Sequence, residues 1–251
     1  MDAVREEYKG GVCTILLNRP EKKNAMDSEL LPALYRSLRN AEDKKSSIVV
    51  IRGSGQAFCA GGDILEFKQS EDRSSLIDSM AGSLHKSISL IRTMNSIVVA
   101  AVEGVAVGAG LGLCLACDIS VASKNTVMNM GYRRIGLTPD GGGSLFLPRI
   151  MGIKKFNEFY LLSRNITMDE AKELGLVNFV WDDNEFDHNL EKLVNELIAL
   201  PMETIAAFKD LVNHSVFQGL STHLDKERFY VTELGGKDQF KERLDQFFKK
   251  K

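Results

Sequence analysis

Apolar positions along this chain change rhythm several times. Ile48-Val-Val-Ile51 and Ile97-Val-Val-Ala-Ala-Val102 are unbroken, largely β-branched runs, the pattern of strands buried on both faces. Val12 to Asn18 alternates and then continues apolar, and reads as a further strand. Between these runs the spacing turns helical. Leu30, Leu31, Leu34 and Leu38 fit one face of a helix running from a Ser28 cap to about Asn40, and residues 75–94 read as a second helix. Strands separated by helices predict α/β architecture. Beyond about residue 150 the rhythm is helical throughout. The spacing predicts helices over 154–163, 189–200, 202–214, 222–234 and 238–250. Thr167-Met-Asp-Glu170 has capping-box spacing ahead of a short helix that Gly175 stops.

Two small-residue loops follow the buried runs: Phe58-Cys-Ala-Gly-Gly-Asp63 and Gly104-Val-Ala-Val-Gly-Ala-Gly-Leu-Gly112. Glycine after a strand marks a tight turn or a close backbone approach. Two such loops in one domain suggest a site of backbone N–H groups, suited to an anion or to a carbonyl oxygen that becomes one. A third stretch, Ile135 to Arg149, sets Asp140 between Pro139 and three glycines ahead of an apolar run. An acid there reads either as a helix cap or as a functional group.

Composition narrows the function classes. With 251 residues and 44% hydrophobic content the chain can bury a sizeable core. A net charge of −2, from 34 acidic and 32 basic residues, argues against a nucleic-acid binder. Val98 to Cys117 carries one charge in twenty residues, but lacks basic or aromatic anchors, so strand, loop and buried helix are expected in place of a membrane span. The N-terminal residues show no apolar targeting core, and the four cysteines show no disulfide spacing, which fits the cytoplasm. Cys114 and Cys117 lie on an apolar helix and read as core despite their C-x-x-C spacing, and Cys59 reads as packing. His188, His214 and His223 have no metal-ligand spacing, so no metal is expected. Gly108-Ala-Gly-Leu-Gly112 misses the dinucleotide fingerprint, so no nicotinamide cofactor is expected.

Asn18 to Ala25, Ala57 to Asp63, Ala101 to Gly112 with Cys117-Asp118, the Asp140 loop and Ile166 to Val177 together resemble the crotonase, or enoyl-CoA hydratase/isomerase, superfamily, in order and over nearly the whole chain. The resemblance implies a spiral of ββα repeats over 1–195 and a C-terminal helical trimerisation region over 196–251, assembled as a homotrimer or a dimer of trimers. It implies acyl-coenzyme A thioester substrates, with coenzyme A as part of the substrate and no separate cofactor. The oxyanion hole then falls to the N–H groups of Gly62 and Ala109. Substrate and coenzyme A contacts fall to Lys22, Lys23, Ala60, Asp63, Ile64, Tyr132, Phe247 and Lys250, and the pocket wall to residues 64–84. Asp63 and Asp118 also read as structural caps or turn formers.

Hydratases of the superfamily carry two glutamates, whose positions here are Gly112 and Tyr132. Without them water activation lacks a base. The acid at Asp140 matches the isomerases that shift a 3-enoyl thioester to the trans-2-enoyl isomer, and those resembling phenylacetate-pathway enzymes. Asp140 is therefore the expected catalytic acid/base. The alternatives are a dehalogenase of the 4-chlorobenzoyl-CoA type, with Asp140 as nucleophile and His85 as a possible water-activating base, another acyl-CoA hydrolytic enzyme, a hydratase, and a non-catalytic acyl-CoA-binding member.

Overall fold

The computed structural model describes residues 2–249. A six-stranded sheet has the order β1 (Val4–Lys9), β2 (Val12–Leu17), β3 (Ile48–Gly53), β4 (Ile97–Val102), β6 (Ile119–Ser123), β8 (Phe179–Trp181). Only the β1–β2 pairing is antiparallel. A smaller parallel pair, β5 (Val105–Val107) with β7 (Val127–Asn129), forms a second layer. Isolated bridges Met26–Gly62, Cys59–Ala106 and Met128–Ile166 prolong that layer on both sides. The chain thus visits both layers on each turn of a spiral, and the two glycine loops lie side by side in the second layer.

The continuous apolar runs are explained by burial on both faces of the large sheet. Val49, Ile51, Val98 and Ala100 face the main core, while Ile48, Val50, Ile97 and Val99 pack beneath Phe186, Leu190 and Val194 of α7 (Phe186–Leu197). The nearly uncharged segment 98–117 is β4, a loop, β5 and the wholly buried α4 (Ala109–Ala116). Among the described residues no helix is long and apolar enough to cross a membrane.

Helix boundaries differ from the sequence pattern for local reasons. α1 runs Leu30–Asp43 and is opened by Asp27, whose Oδ1 accepts from Leu30 N at 2.7 Å, while the expected cap Ser28 bonds Glu66 instead. α2 (Ile64–Gln69) is too short for the periodicity to reveal. α3 (Arg73–Thr93) begins two residues early because Asp72 caps it. α5 (Gly143–Leu162) merges the expected 154–163 helix with a preceding segment across a kink at Gly152. Thr167 caps α6 (Met168–Glu173), but Glu170 pairs with Arg164, so only half of the capping box forms.

Three helices complete the chain: α8 (Met202–Val216), α9 (Leu220–Gly235) and α10 (Asp238–Lys249). They fold back on their own spiral, and the division expected at residue 195 falls inside α7. Lys209 of α8 is 4% exposed and ties that helix to the sheet through Asp118, Ile91 O and Ser96 O. Burial pulls the Lys209 ammonium below the ordinary lysine range, while Asp118 beside it works in the other direction.

Gly104 makes the turn from β4 into the second layer with φ +66°, and a methyl there would lie 2.0 Å from Gln56 O. Gly104→Ala should therefore cost about 2–4 kcal/mol, the sum of left-handed strain and overpacking, read as a lower urea midpoint with an unchanged m-value.

Candidate active site

One cavity of about 220 Å³ brings the predicted segments together. Ala60, Gly62 and Ile64 come from the first loop, Ala109 from the second, and Tyr132 and Asp140 from the third stretch. Phe247 of α10 closes one side. The apolar wall is built by Phe67 of α2 and by Ile77, Met80, Ala81 and Leu84 of α3, within the expected 64–84 segment.

The two N–H groups follow from local folding. Met26 bonds Gly61 O and Asp63 N, which leaves the Gly62 N–H pointing away from it. Ala109 is the first residue of α4, so its N–H has no acceptor within the helix, and the helix dipole places positive potential there. Among the described residues neither N–H donates to a protein acceptor. Such a pair, at a helix start in an apolar cavity, can stabilise a carbonyl oxygen that acquires negative charge.

Asp140 is buried and is not a helix cap: α5 has Gly142 at its N-cap position and receives no cap from a side chain of its own segment. Asp140 Oδ1 lies 2.5 Å from His85 Nε2. Oδ2 accepts no hydrogen bond from any described residue, which leaves it available to a ligand. His85 does not line the cavity. It sits behind Asp140 and faces a separate groove that also contains Asp225 and Arg228. Burial works against the charged imidazole, but the Asp140 carboxylate, its hydrogen bond and the Glu227 charge outweigh it, so His85 is raised above its ordinary value.

Gly112 and Tyr132, the two positions that the resemblance matches to hydratase glutamates, are put to other use. A Cβ on Gly112 would lie 2.3 Å from Gly141 O, so the loop that carries Asp140 fills that space. Tyr132 is buried, and its hydroxyl donates to Asp140 O at 3.0 Å. Burial and the nearby Asp140 charge push its phenol well above the ordinary value, which keeps it a neutral donor that braces the loop.

Other expected contacts are placed differently. Lys22 and Lys23 stand in and just after the turn Pro20–Lys22, outside the cavity, although Lys23 O accepts from Ala60 N and fixes that turn to the wall. Asp63 is a correction. It does not line the cavity, because its carboxylate pairs with Arg19 at 3.0 Å and caps α2 at Leu65 N and Glu66 N. Lys250 lies outside the described residues.

Two groups escaped sequence reasoning. Arg134 is the cation that borders the cavity, held by Ser163 through its Nε and Nη2. Glu227 of α9 is 4% exposed and grips the start of α5, accepting from Gly142 N at 2.7 Å and Ser144 N at 2.9 Å. Its signal was available: Leu220, Leu224, Glu227, Val231 and Leu234 form one stripe of α9, and a charge inside an apolar stripe calls for an internal partner. Ligand atoms of His85, Asp140 and Glu227 lie within 4.8 Å of one another. These are metal-donor types, but the imidazole nitrogen is taken by Asp140 and both Glu227 oxygens by α5, so a cation would have to break those bonds.

The sequence profile of the enoyl-CoA hydratase/isomerase family matches residues 7–251. The chain belongs to the enoyl-CoA hydratase/isomerase family. Family relatives include the 1,2-epoxyphenylacetyl-CoA isomerase of Escherichia coli K12, 29% identical over all of this chain and 97% of its own length. A 4-chlorobenzoyl coenzyme A dehalogenase of an Arthrobacter species is 31% identical over 96% of this chain and 88% of its own. Among solved family structures, the enoyl-CoA hydratase of Bacillus halodurans superposes with a TM-score of 0.91 at 25% identity, covering 97% of this chain and 99% of its own. Family membership identifies an enzyme acting on acyl-CoA thioesters, and the α/β spiral with its C-terminal helices is the family's fold.

Proposed function

We propose that this enzyme shifts the double bond of a 3-enoyl-CoA to the trans-2 position, with Asp140 as its single acid/base. The observation that carries this reading is that Asp140, whose Oδ2 accepts no hydrogen bond from any described residue, lines the same cavity as Gly62 and Ala109. Asp140 takes the C2 proton, the thioester oxygen gathers the charge between the two amides, and Asp140 returns the same proton at C4. Each amide contributes about 3 kcal/mol to holding the dienolate if it acts as oxyanion donors do elsewhere. No further acid is needed, in keeping with Gly112 and Tyr132 at the hydratase glutamate positions. Apolar walls suit an unsubstituted acyl chain. Lys22, Lys23, Arg134 and Lys250 are the cations proposed for the coenzyme A phosphates, and Phe247 for a contact near the acyl end.

A second reading rests on the His85–Asp140 contact and the dehalogenase relatives: Asp140 attacks a halo-aryl thioester and His85 deprotonates the water that releases it. The location of His85 behind the carboxylate, outside the cavity, favours the first reading.

The test is a substrate comparison. With 3-hexenoyl-CoA we expect conversion to the trans-2 isomer at a kcat at least about 100 times that for hydration of trans-2-hexenoyl-CoA, the contrast set by a missing positioned base. Hydration as fast as isomerisation overturns the single-acid reading. Stoichiometric halide release from 4-chlorobenzoyl-CoA with no isomerisation establishes the second.

A further inference from the structure

Glu227 has no part in the mechanism above, yet its buried carboxylate is held by three hydrogen bonds. Its Oε2 accepts from Gly142 N, and its Oε1 from Ser144 N and from Ser144 Oγ at 2.5 Å. These amides open α5, which its own segment leaves uncapped, so α9 supplies the cap from 83–85 residues away. The capped segment begins two residues after Asp140. The same helix is pinned to α3, which carries His85, by Arg228 through its bond to Asp78 Oδ1 at 2.7 Å. We infer that Glu227 is a positioning residue for Asp140: it fixes the loop that presents the base, and its ionisation governs how readily Asp140 takes a proton. This inference rests on the reading of Asp140 as base.

The electrostatic half follows from proximity. The Glu227 carboxylate lies within 4.8 Å of the Asp140 carboxyl, and removal of the C2 proton is the uphill step that a neighbouring negative charge assists. Burial first, and the Asp140 charge second, push the Glu227 carboxyl up to about 7, against the three bonds from α5. Charged or titratable groups face this cluster from every side. They are His85 on α3, Tyr132 beneath the loop, Asp140 itself, and His223 and Arg228 on α9, with Arg149 of α5 acting on His223.

A buried acid titrates only if its proton has a way out. Ser144 Oγ lies 2.8 Å from His223 Nε2, and the His223 side chain is 37% exposed. Burial and Arg149 hold His223 below its ordinary value, so it is a neutral acceptor near pH 7. Glu227 passes its proton to Ser144 Oγ as Ser144 passes its own to His223 Nε2, and the imidazolium releases one proton to water.

The test is the pH profile of 3-hexenoyl-CoA isomerisation from pH 5.5 to 8.5 for wild type, Glu227→Gln and His85→Gln. In wild type, kcat should rise several-fold through a limb near pH 7 as Glu227 ionises. Glu227→Gln should lose the limb and stay at the acid-side rate, with KM within about twofold, while His85→Gln, though slower, should keep it. Parallel profiles for wild type and Glu227→Gln, differing only in height or in Tm, overturn the inference, because a mere cap would behave so. Loss of the limb in His85→Gln assigns it to the imidazole and also overturns it. A second measurement needs neither turnover nor Glu227→Gln: a carbon-13 titration of the Glu227 carboxyl should give a midpoint near 7 that falls in Asp140→Asn. A midpoint indifferent to Asp140 overturns the coupling. The base reading fails separately, if Asp140→Asn stays active.

Discussion

Asp140→Asn is expected to reduce kcat for 3-enoyl thioester isomerisation by about 10²–10⁴-fold, the range over which positioned acid/base groups act, with KM within about twofold. Asparagine retains the shape of aspartate and can still meet His85 Nε2, and the loop stays braced by Tyr132 and Glu227, so Tm should move little. What is lost is the oxygen that accepts the C2 proton. The oxyanion amides persist, because no side chain supplies them. A spectroscopic signature accompanies the loss. His85 is raised by the Asp140 charge against the pull of burial, so its titration by proton NMR should move downward in the variant. Wild-type turnover by Asp140→Asn would remove Asp140 from the chemistry altogether.

The second large effect is on folding. Asp118 is the shared anion of a buried network: Oδ1 faces Arg92 Nη1 at 3.2 Å, and Oδ2 accepts from Lys209 Nζ at 2.7 Å and Val98 N at 2.9 Å. Asp118→Ala leaves two cations inside the protein without their counter-charge. Breaking a buried pair from one side costs about 3–5 kcal/mol, which for a chain of this size lowers Tm by roughly 6–20 °C. The double variant Asp118→Ala, Lys209→Met should recover part of that loss, since the uncompensated ammonium is then gone. Calorimetry on both variants decides the matter. A shift under about 2 °C for Asp118→Ala would mean that water or a local rearrangement replaces the carboxylate.

The parts of this molecule that were legible in the sequence are those coded by local pattern. Ile48–Ile51 and Ile97–Val102 announce strands because both faces of the sheet are covered, and Gly62, Ala109 and Asp140 stand in segments whose composition is unusual on its own. β1 escaped because it is an edge strand with polar residues on most positions, and β5, β7 and β8 because three residues are too few to show a period. His85 stands out only through the dehalogenase resemblance, as a possible water-activating base, and nothing local in the sequence shows that the fold sets it against a loop 55 residues away. Asp63 and Asp140 look alike in sequence, both acids beside glycines ahead of a helix. Only the neighbours separate them: Arg19 and two amides claim the first, and an imidazole that leaves one oxygen open claims the second.

The contact between Gly112 and Gly141 bears on how catalysts of this family can diverge. With the Gly141 carbonyl occupying the space where a side chain on residue 112 of α4 would begin, this backbone leaves no room for an acid at 112 beside the Asp140 loop. Interconversion of the two chemistries along an evolutionary path, or at a designer's bench, is then a matter of rerouting the main chain around residues 139–143 first and choosing carboxylates second. In this chain a lone Gly112→Glu replacement meets that carbonyl, whereas exchange of Asp140 leaves it in place.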